Sequence, residues 1–338
     1  MQRVTNRSRV APMSQGTSEA QPRIPDIPPV PEPVLDAARD GNLVIFVGSG
    51  VTKHLTGRDW DELASWVVDD MARRQEINFY DRDLLLDRGK KDAKRILTMC
   101  ENLGGDRSLV RRRIADKVRL TTESVQADGL LVGLYSMNAI YLTTNWDNGL
   151  DILASGARSD LPAGNASTAA AAQQKVFFRE DDMHWSNMDA GNVLHIHGSI
   201  ADPDTMVITE RDYSRVHREG RPVPALLDVA ISDYVVLFIG AGCSEQDIIG
   251  RFLERRRPQL PTNVAGHYTL MGFYASEPRA VELERLRYSQ SGIDIVPFDM
   301  TRLQHDQLKS VVGAWSRQIR CRPVRFTQQA RLIEEATR

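Results

Sequence analysis

Apolar residues along this chain fall into two kinds of pattern. Short, nearly unbroken apolar runs bounded by Gly, Asn, Asp or Pro read as buried strands: LVIFV at 43–47, NAIYL at 138–142, VLHIH at 193–197, MVIT at 206–209, YVVLFIG at 234–240, HYTLMG at 267–272 and IDIVPF at 293–298. Between them, apolar positions recur at helical spacing. In WDELASWVVDDMARR (60–74), Trp60, Leu63, Trp66 or Val67, and Met71 form one stripe. KKDAKRILTMCENL and RSLVRRRIADKV continue helical character to Val118, and further helices are expected at 34–39, 148–153, 244–257, 277–289 and 305–320. The two tryptophans and Met71 read as core by their burial tendency, and Arg111, Arg112 and Arg113 as a solvated helix face. Near-continuous apolar strands separated by helices imply a mostly parallel sheet covered on both faces. The expected class is therefore α/β, with a Rossmann-like sheet.

Two stretches break the pattern. Met1 to Glu32 is rich in Pro, Ser, Gln and Arg, ends in PRIPDIPPVPEP, and has few apolar groups to offset the entropy of ordering, so residues 1–33 are expected to form a disordered arm. SGARSDLPAGNASTAAAAQQ, at about 155–174, reads as a mobile surface insertion. One domain is then expected at 34–322, followed by a tail at 323–338.

Composition removes several function classes. The 338 residues, 41% hydrophobic, can bury a sizeable core. A formal charge of −2, from 43 basic and 45 acidic side chains, gives no overall attraction to nucleic acid or anionic lipid. Neither a segment approaching the roughly 20 apolar residues of a membrane span nor the apolar core of a signal peptide is present, so a cytoplasmic location is expected. Cys100, Cys243 and Cys321 are too few and too scattered for a disulfide framework or a four-thiolate zinc site.

Candidate chemistry gathers at strand ends. LVIFVGSGVT (43–52) and VVLFIGAGCS (235–244) share a plan: an apolar strand, Gly-x-Gly, and a hydroxyl two residues later. Glycine there permits a sharp turn and close approach to a phosphate, and a following helix offers free N–H groups to an anion. Lys53 and Glu245 occupy the third glycine's place, so neither turn completes the dehydrogenase fingerprint GxGxxG. LTTNWDNGLDIL (142–153) sets Asn145, Trp146 and Asp147 after a strand, where ligands bind in open α/β sheets. Thr144 or Asn145 could equally be a helix cap. In VLHIHGSIADPD, strand alternation puts His195 and His197 on one face, and His197 could exchange a proton near neutral pH or serve structurally. The pair lacks a third ligand at recognisable spacing, so no metal is expected.

GSGVT (48–52), TTNWD (143–147), HG (197–198) and GAGCS (240–244), in this order, resemble the signatures GAGxS, TQNxD, HG and the second glycine-serine turn of the sirtuin family. TTNWDNGLD, LHIHGSIADPDTMVITERDY and LFIGAGCSEQD more closely resemble bacterial sirtuin-like proteins that cleave NAD in anti-phage defence. The resemblance covers about residues 40 to 300. The chain departs from deacylating sirtuins in lacking paired CxxC motifs, in having Ser49 for alanine, and in lacking PDFR; Gly57, Trp60 and Leu63 resemble the G-x-x-W-x-x-L of the defence relatives. A helical insert at about 80–125 stands where the zinc module would be.

The resemblance implies roles. Asn145 would hold the nicotinamide ribose and orient a water, His197 would act as general base, and Asp147 with the backbone of Trp146 would recognise the carboxamide. Gly48, Ser49, Gly50 and Thr52 would cradle the diphosphate, Gly242, Ser244 and the loop after Phe298 would contact the adenosine half, and Thr144, Gly240 and Phe298 itself belong to the implied NAD-binding set. The implied activity is an NAD+ glycohydrolase yielding nicotinamide and ADP-ribose, with NAD+ as substrate, no metal, and depletion of NAD after infection. Restraint by homo-oligomerisation, or by a HerA-like hexameric ATPase or a short Argonaute, is implied by the relatives. An NAD-dependent protein deacylase and a non-catalytic NAD-binding module are the alternatives.

Overall fold

The computed structural model describes residues 23–88, 92–156, 175–241, 248, 250–252 and 266–320. Seven strands, β1 (Leu43–Val47), β2 (Ile140–Thr143), β3 (Val176–Phe177), β4 (Val193–His195), β5 (Val235–Ile239), β6 (His267–Phe273) and β7 (Ile293–Asp299), form one sheet in the order β3-β4-β2-β1-β5-β6-β7. Every pairing is parallel. The α/β expectation therefore holds, as a Rossmann-like sheet.

Burial on both faces explains the unbroken apolar runs. Within β1, Leu43, Ile45 and Val47 enter one core cluster and Val44 and Phe46 the other, the period-2 alternation of a strand. One face is covered by α1 (Glu32–Asp40), α8 (Gly129–Tyr135), α9 (Gly149–Gly156) and α13 (Asp306–Arg320). The other is covered by α11 (Pro222–Asp233) and α12 (Pro278–Ser289), joined by the end of α10 (Glu210–Val216).

Between β1 and β2 the chain builds a third core. The short α2 (Lys53–Thr56) leads into α3 (Trp60–Arg73), α4 (Phe79–Arg88), α5 (Ala93–Leu103) and α6 (Arg107–Val118), and α7 (Thr122–Ala127) leads back towards the sheet. Asp59 starts α3 with a capping box to Glu62. Leu63, Val67, Met71, Leu97 and Ile114 pack together with Trp146, Ile200, Met206 and Ile208 from the sheet side. The helical layer is thus seated on the strand ends.

Several expectations are corrected. MVIT at 206–209 is buried but is not a strand. Its backbone pairs locally: the Val207 N–H donates to the His197 carbonyl at 2.9 Å, the Ile208 N–H to Asp212 Oδ2 at 3.4 Å, and the Met206 carbonyl accepts from Arg111. Arg111 itself is not solvated. Only 4% exposed, it sits between Glu101 and Asp212, because α6 faces α5 and the start of α10.

Residues 23–31, expected within the disordered arm, are strapped to the domain. Ile24 and Val30 are buried, the Asp299 N–H donates to the Pro25 carbonyl at 2.9 Å, and the Trp315 Nε1–H donates to the Pro28 carbonyl at 2.8 Å. Prolines have no N–H to satisfy, but their carbonyls remain strong acceptors. The arm before residue 23, most of the insertion at 155–174, most of the helix at 244–257 and the tail at 323–338 lie outside the described residues.

Candidate active site

The strand order reverses at β1, with β2 on one side and β5 on the other, so their carboxyl ends open a crevice. The two glycine turns meet there. The Gly48 N–H donates to the Ile239 carbonyl at 3.0 Å and the Gly50 N–H to the Gly240 carbonyl at 2.9 Å. A Cβ on Gly48 would stand 2.4 Å from Ala241 Cα, and Gly240 has φ +66° with Val51 N only 2.7 Å from any added Cβ. The glycines at these positions are accounted for by one turn lying on the other. Ser49 and Thr52, not Gly48 or Gly50, line the cleft beside the turn. Gly242 and Ser244 lie outside the described residues. Phe298 is brought to the core rather than the cleft: it is 3% exposed in β7, the edge strand beyond β6.

The turn after β2 locks onto the turn after β1. Thr143 Oγ1 donates to the Val47 carbonyl at 2.8 Å and accepts from the Asn145 N–H at 3.0 Å. Asn145 Nδ2 donates to the Gly48 carbonyl at 3.2 Å and to Thr52 Oγ1 at 3.3 Å, and Thr52 Oγ1 donates to Asp147 Oδ2 at 2.8 Å. Asp147 Oδ1 accepts from the Gly149 N–H at 3.0 Å. The Asp147 carboxylate, rather than the Asn145 side chain, meets the first turn of α9. Burial pushes the Asp147 pKa up, against the Gly149 N–H, the Thr52 hydroxyl and the charge of His195.

Trp146 is 6% exposed and its ring lies 4.5 Å, centroid to centroid, from Trp60. Both line the cleft, so Trp60 is a wall of the site as well as a packing residue. The Trp146 Nε1–H has no hydrogen-bond partner among the described residues. A buried indole donor beside a cleft suits a ligand acceptor, because an unpaired donor carries a desolvation cost.

The two histidines of β4 and its turn separate. His195 Nδ1 faces the Asn145 carbonyl at 2.8 Å and Nε2 faces Asp151 Oδ1 at 2.7 Å. Burial opposes charge on it, but the Asp151 carboxylate outweighs burial and raises its pKa. His195 thus braces the Asn145 turn and does not line the cleft. Beyond Ile196 the chain leaves strand geometry and turns at Gly198, φ +75°, so the alternation drawn from the sequence does not apply.

His197, 3% exposed, does line the cleft. Its Nε2 lies 2.8 Å from Nε2 of His217, and its ring meets the Tyr213 ring edge-on at 4.9 Å. Burial first, then the neighbouring His217 and Lys94, hold its pKa well below the usual imidazole value, so it is neutral near pH 7. Lys94 Nζ stands 4.0 Å over the Tyr213 ring. Sequence reasoning missed Lys94, Tyr213 and His217. Tyr213 and His217 are four residues apart and share one face of a helical turn, a signal present in ERDYSRVH but indistinguishable there from an ordinary helix surface.

The cleft has a volume of about 410 Å³, within the usual range for small-molecule sites. Ser49, Thr52, Thr144, Asn145, Asp147 and His197 all reach it. Residues 139–295 match the SIR2-like domain family. The match runs from the start of β2 into β7 and takes in Asn145, Asp147, His197 and Gly240, with the β1 turn before it. SIR2-like proteins are usually NAD-dependent enzymes, and the match supports a sirtuin-like family and NAD-related activity for this chain. No curated protein matches the chain. Among the described residues, no group of three or more His, Cys, Asp or Glu side chains is placed to hold a metal, and no helix is long and apolar enough to cross a membrane.

The donor set of the cleft fits a dinucleotide. It combines an unpaired indole N–H, hydroxyls at Ser49 and Thr52, an amide and a neutral imidazole against an aromatic wall. Cys100 takes no part: it is buried in the helical core, and burial pushes its thiol up to about 12.

Proposed function

We propose that the chain is an NAD+ glycohydrolase that releases nicotinamide and ADP-ribose. The observation that carries this reading is the convergence of Asn145, Asp147 and His197, from two adjacent strand ends, on one cleft with Ser49 and Thr52. NAD supplies the labile bond between nicotinamide and ribose.

The residues divide the remaining work. Asn145 is held through its amide N–H2 by the Gly48 carbonyl and Thr52, which leaves its amide oxygen to orient the ribose or a water. Neutral His197 accepts a proton from that water. Asp147 has one lone pair on each oxygen beyond the bonds from Thr52 and Gly149, and these serve the carboxamide N–H2. Trp60 and Trp146 shield the reacting centre from bulk water. Ser49 and Thr52 face the diphosphate.

The biological role we infer is that of an NAD-depleting effector in anti-phage defence, cytoplasmic and restrained either by homo-oligomerisation or by a partner ATPase or Argonaute. It follows from the likeness of TTNWDNGLD, LHIHGSIADPD and LFIGAGCSEQD to that branch of sirtuin-like proteins. A fully active, partner-free monomer in size-exclusion chromatography would count against the restraint.

The test of the activity is nicotinamide release by the purified chain without acyl peptide, beside Asn145→Ala and His197→Ala. Turnover lost in both variants is expected. Release that depends on an acylated lysine would instead indicate a deacylase, and NAD binding with no turnover under any added partner would indicate a binding module.

A further inference from the structure

We propose that His217 is the proton partner of His197: the two imidazoles share one proton between their Nε2 atoms, and His217 receives the proton that His197 takes from the reactant. The relay rests on the glycohydrolase reading, whereas the shared proton stands without it.

The geometry is specific. Two ring nitrogens 2.8 Å apart form a hydrogen bond only when one carries a hydrogen and the other a lone pair. The rings stand at 89° with centroids 5.1 Å apart, and Tyr213 stacks on His217 at 5.9 Å while meeting His197 edge-on. Tyr213 therefore holds both imidazoles in register. The His197 ring makes no other hydrogen bond among the described residues, so Nδ1 is the nitrogen left to a reactant.

The surroundings set the direction of transfer. His197 is almost wholly buried near the Lys94 ammonium, which disfavours an imidazolium there. His217 is less buried and occupies the C-cap of α10, where the carbonyl dipoles of the last turn favour a cation. Arg58, Asp59, Asp61, Asp92 and Asp147 are the other titratable groups of the cleft. Among the described residues, none of them is hydrogen-bonded to the His197 ring.

In the step that follows, water loses a proton to His197 Nδ1 as its oxygen bonds to the ribose carbon. The nicotinamide nitrogen leaves with the electron pair of the glycosidic bond. The His197 Nε2 proton passes to the Nε2 lone pair of His217, which ends as the cation. His217 is thus a positioning and relay residue that acts through His197.

Two variants separate the roles. His217→Gln keeps a hydrogen-bonding group near the same position but cannot take a proton; His217→Phe removes both. In the full chain, with ¹⁵N-histidine NMR and nicotinamide release measured across pH, we expect both variants to lower kcat by roughly 10- to 100-fold. KM should stay within about threefold in each, since the contacts proposed to hold the reactant are made by Asn145, Asp147, Ser49 and Thr52. The acid limb of the kcat profile should move, and in His217→Phe the His197 ring nitrogens should titrate at a different pH. Wild-type kcat in His217→Gln would overturn the relay, leaving only a hydrogen bond. An unchanged His197 titration in a folded His217→Phe would overturn the shared proton. If the wild type cleaves no NAD under any condition, the relay falls with the glycohydrolase reading, and the NMR comparison decides the shared proton by itself.

Discussion

The Thr52 hydroxyl donates to Asp147 Oδ2 at 2.8 Å and so ties the turn after β1 to the turn after β2, 95 residues away. The same oxygen accepts from Asn145 Nδ2 at 3.3 Å, so one hydroxyl orients two of the proposed site residues. Thr52→Val keeps the shape and removes both bonds, leaving a buried carboxylate short of one donor. The expected cost is about 1–3 kcal/mol in urea unfolding. NAD affinity by calorimetry should fall by roughly tenfold, and Thr52→Ser should restore most of both. A Val variant with unaltered stability and affinity would show that the tie between the turns carries little.

Arg111 carries a second tie, between the helical layer and the element bearing Tyr213 and His217. Its Nε donates to Glu101 Oε1 at 2.7 Å, its Nη2 to Asp212 Oδ2 at 2.5 Å, and its Nη1 to the Met206 carbonyl. Replacing the guanidinium leaves the buried Glu101 and Asp212 with the half-exposed Arg107 and, for Asp212, Thr209 and the Ile208 N–H as their remaining partners among the described residues. Arg111→Met should therefore destabilise the protein by about 3–5 kcal/mol. Arg111→Lys should recover only part of this, because one ammonium cannot match the planar fork. Arg112→Met, one residue on, should change stability by less than about 0.5 kcal/mol, since Arg112 is exposed and, among the described residues, pairs only with exposed Asp106. Chemical denaturation of the three variants checks the contrast.

These two ties mark the limit of what the sequence reveals. Strands such as VVLFI were legible because burial on both faces writes an unbroken apolar run, and Asn145, Asp147 and His197 because strand ends concentrate chemistry. Arg111 was not, because nothing in RSLVRRRIADKV says which arginine faces another element. MVIT mimics a strand because burial, not pairing, selects apolar residues. His217 joins the cleft only through the contact of α10 with the β4 turn, a relationship between segments 20 residues apart that no local pattern encodes. The strap at 23–31 is held by proline carbonyls, which composition counts as a sign of disorder.

His267 gives a prediction for pH. Burial lowers its pKa to about 4, against an ordinary value of 6.5, and its Nδ1 accepts the Val236 N–H at 3.3 Å, a bond that only the neutral ring can accept. Between these pH values the unfolded chain holds a proton that the folded chain does not. Stability is therefore lost as pH falls from 6.5 towards 4, and His267 accounts for about 2 kcal/mol of loss between pH 7 and pH 5. His267→Gln should flatten the pH dependence by about that amount in urea titrations at the two pH values. An equal slope in both proteins would assign the acid sensitivity to other groups.

Gly48 tests why the turns need glycine. Its φ of −102° is open to any residue, so its backbone conformation does not demand glycine. Space does: an added Cβ would lie 2.4 Å from Ala241 Cα and 2.5 Å from the Gly240 carbonyl oxygen, both backbone atoms that no rotamer change can move aside. Gly48→Ala must therefore part the β1 and β5 turns, straining the Gly48–Ile239 and Gly50–Gly240 hydrogen bonds. A loss of at least about 2 kcal/mol is expected, in the upper range for point substitutions. NAD binding should weaken with it, since the Gly48 carbonyl also holds the Asn145 amide. Gly57→Ala is the matched control. Its φ of +72° strains any side chain, but nothing lies within 4 Å of the new Cβ, so its cost should be about 1 kcal/mol, without effect on NAD affinity. Thermal melts and calorimetry on the pair separate conformational demand from close approach. A Gly48→Ala variant as stable as the control would mean that the turns tolerate separation and that the glycines answer to a ligand instead.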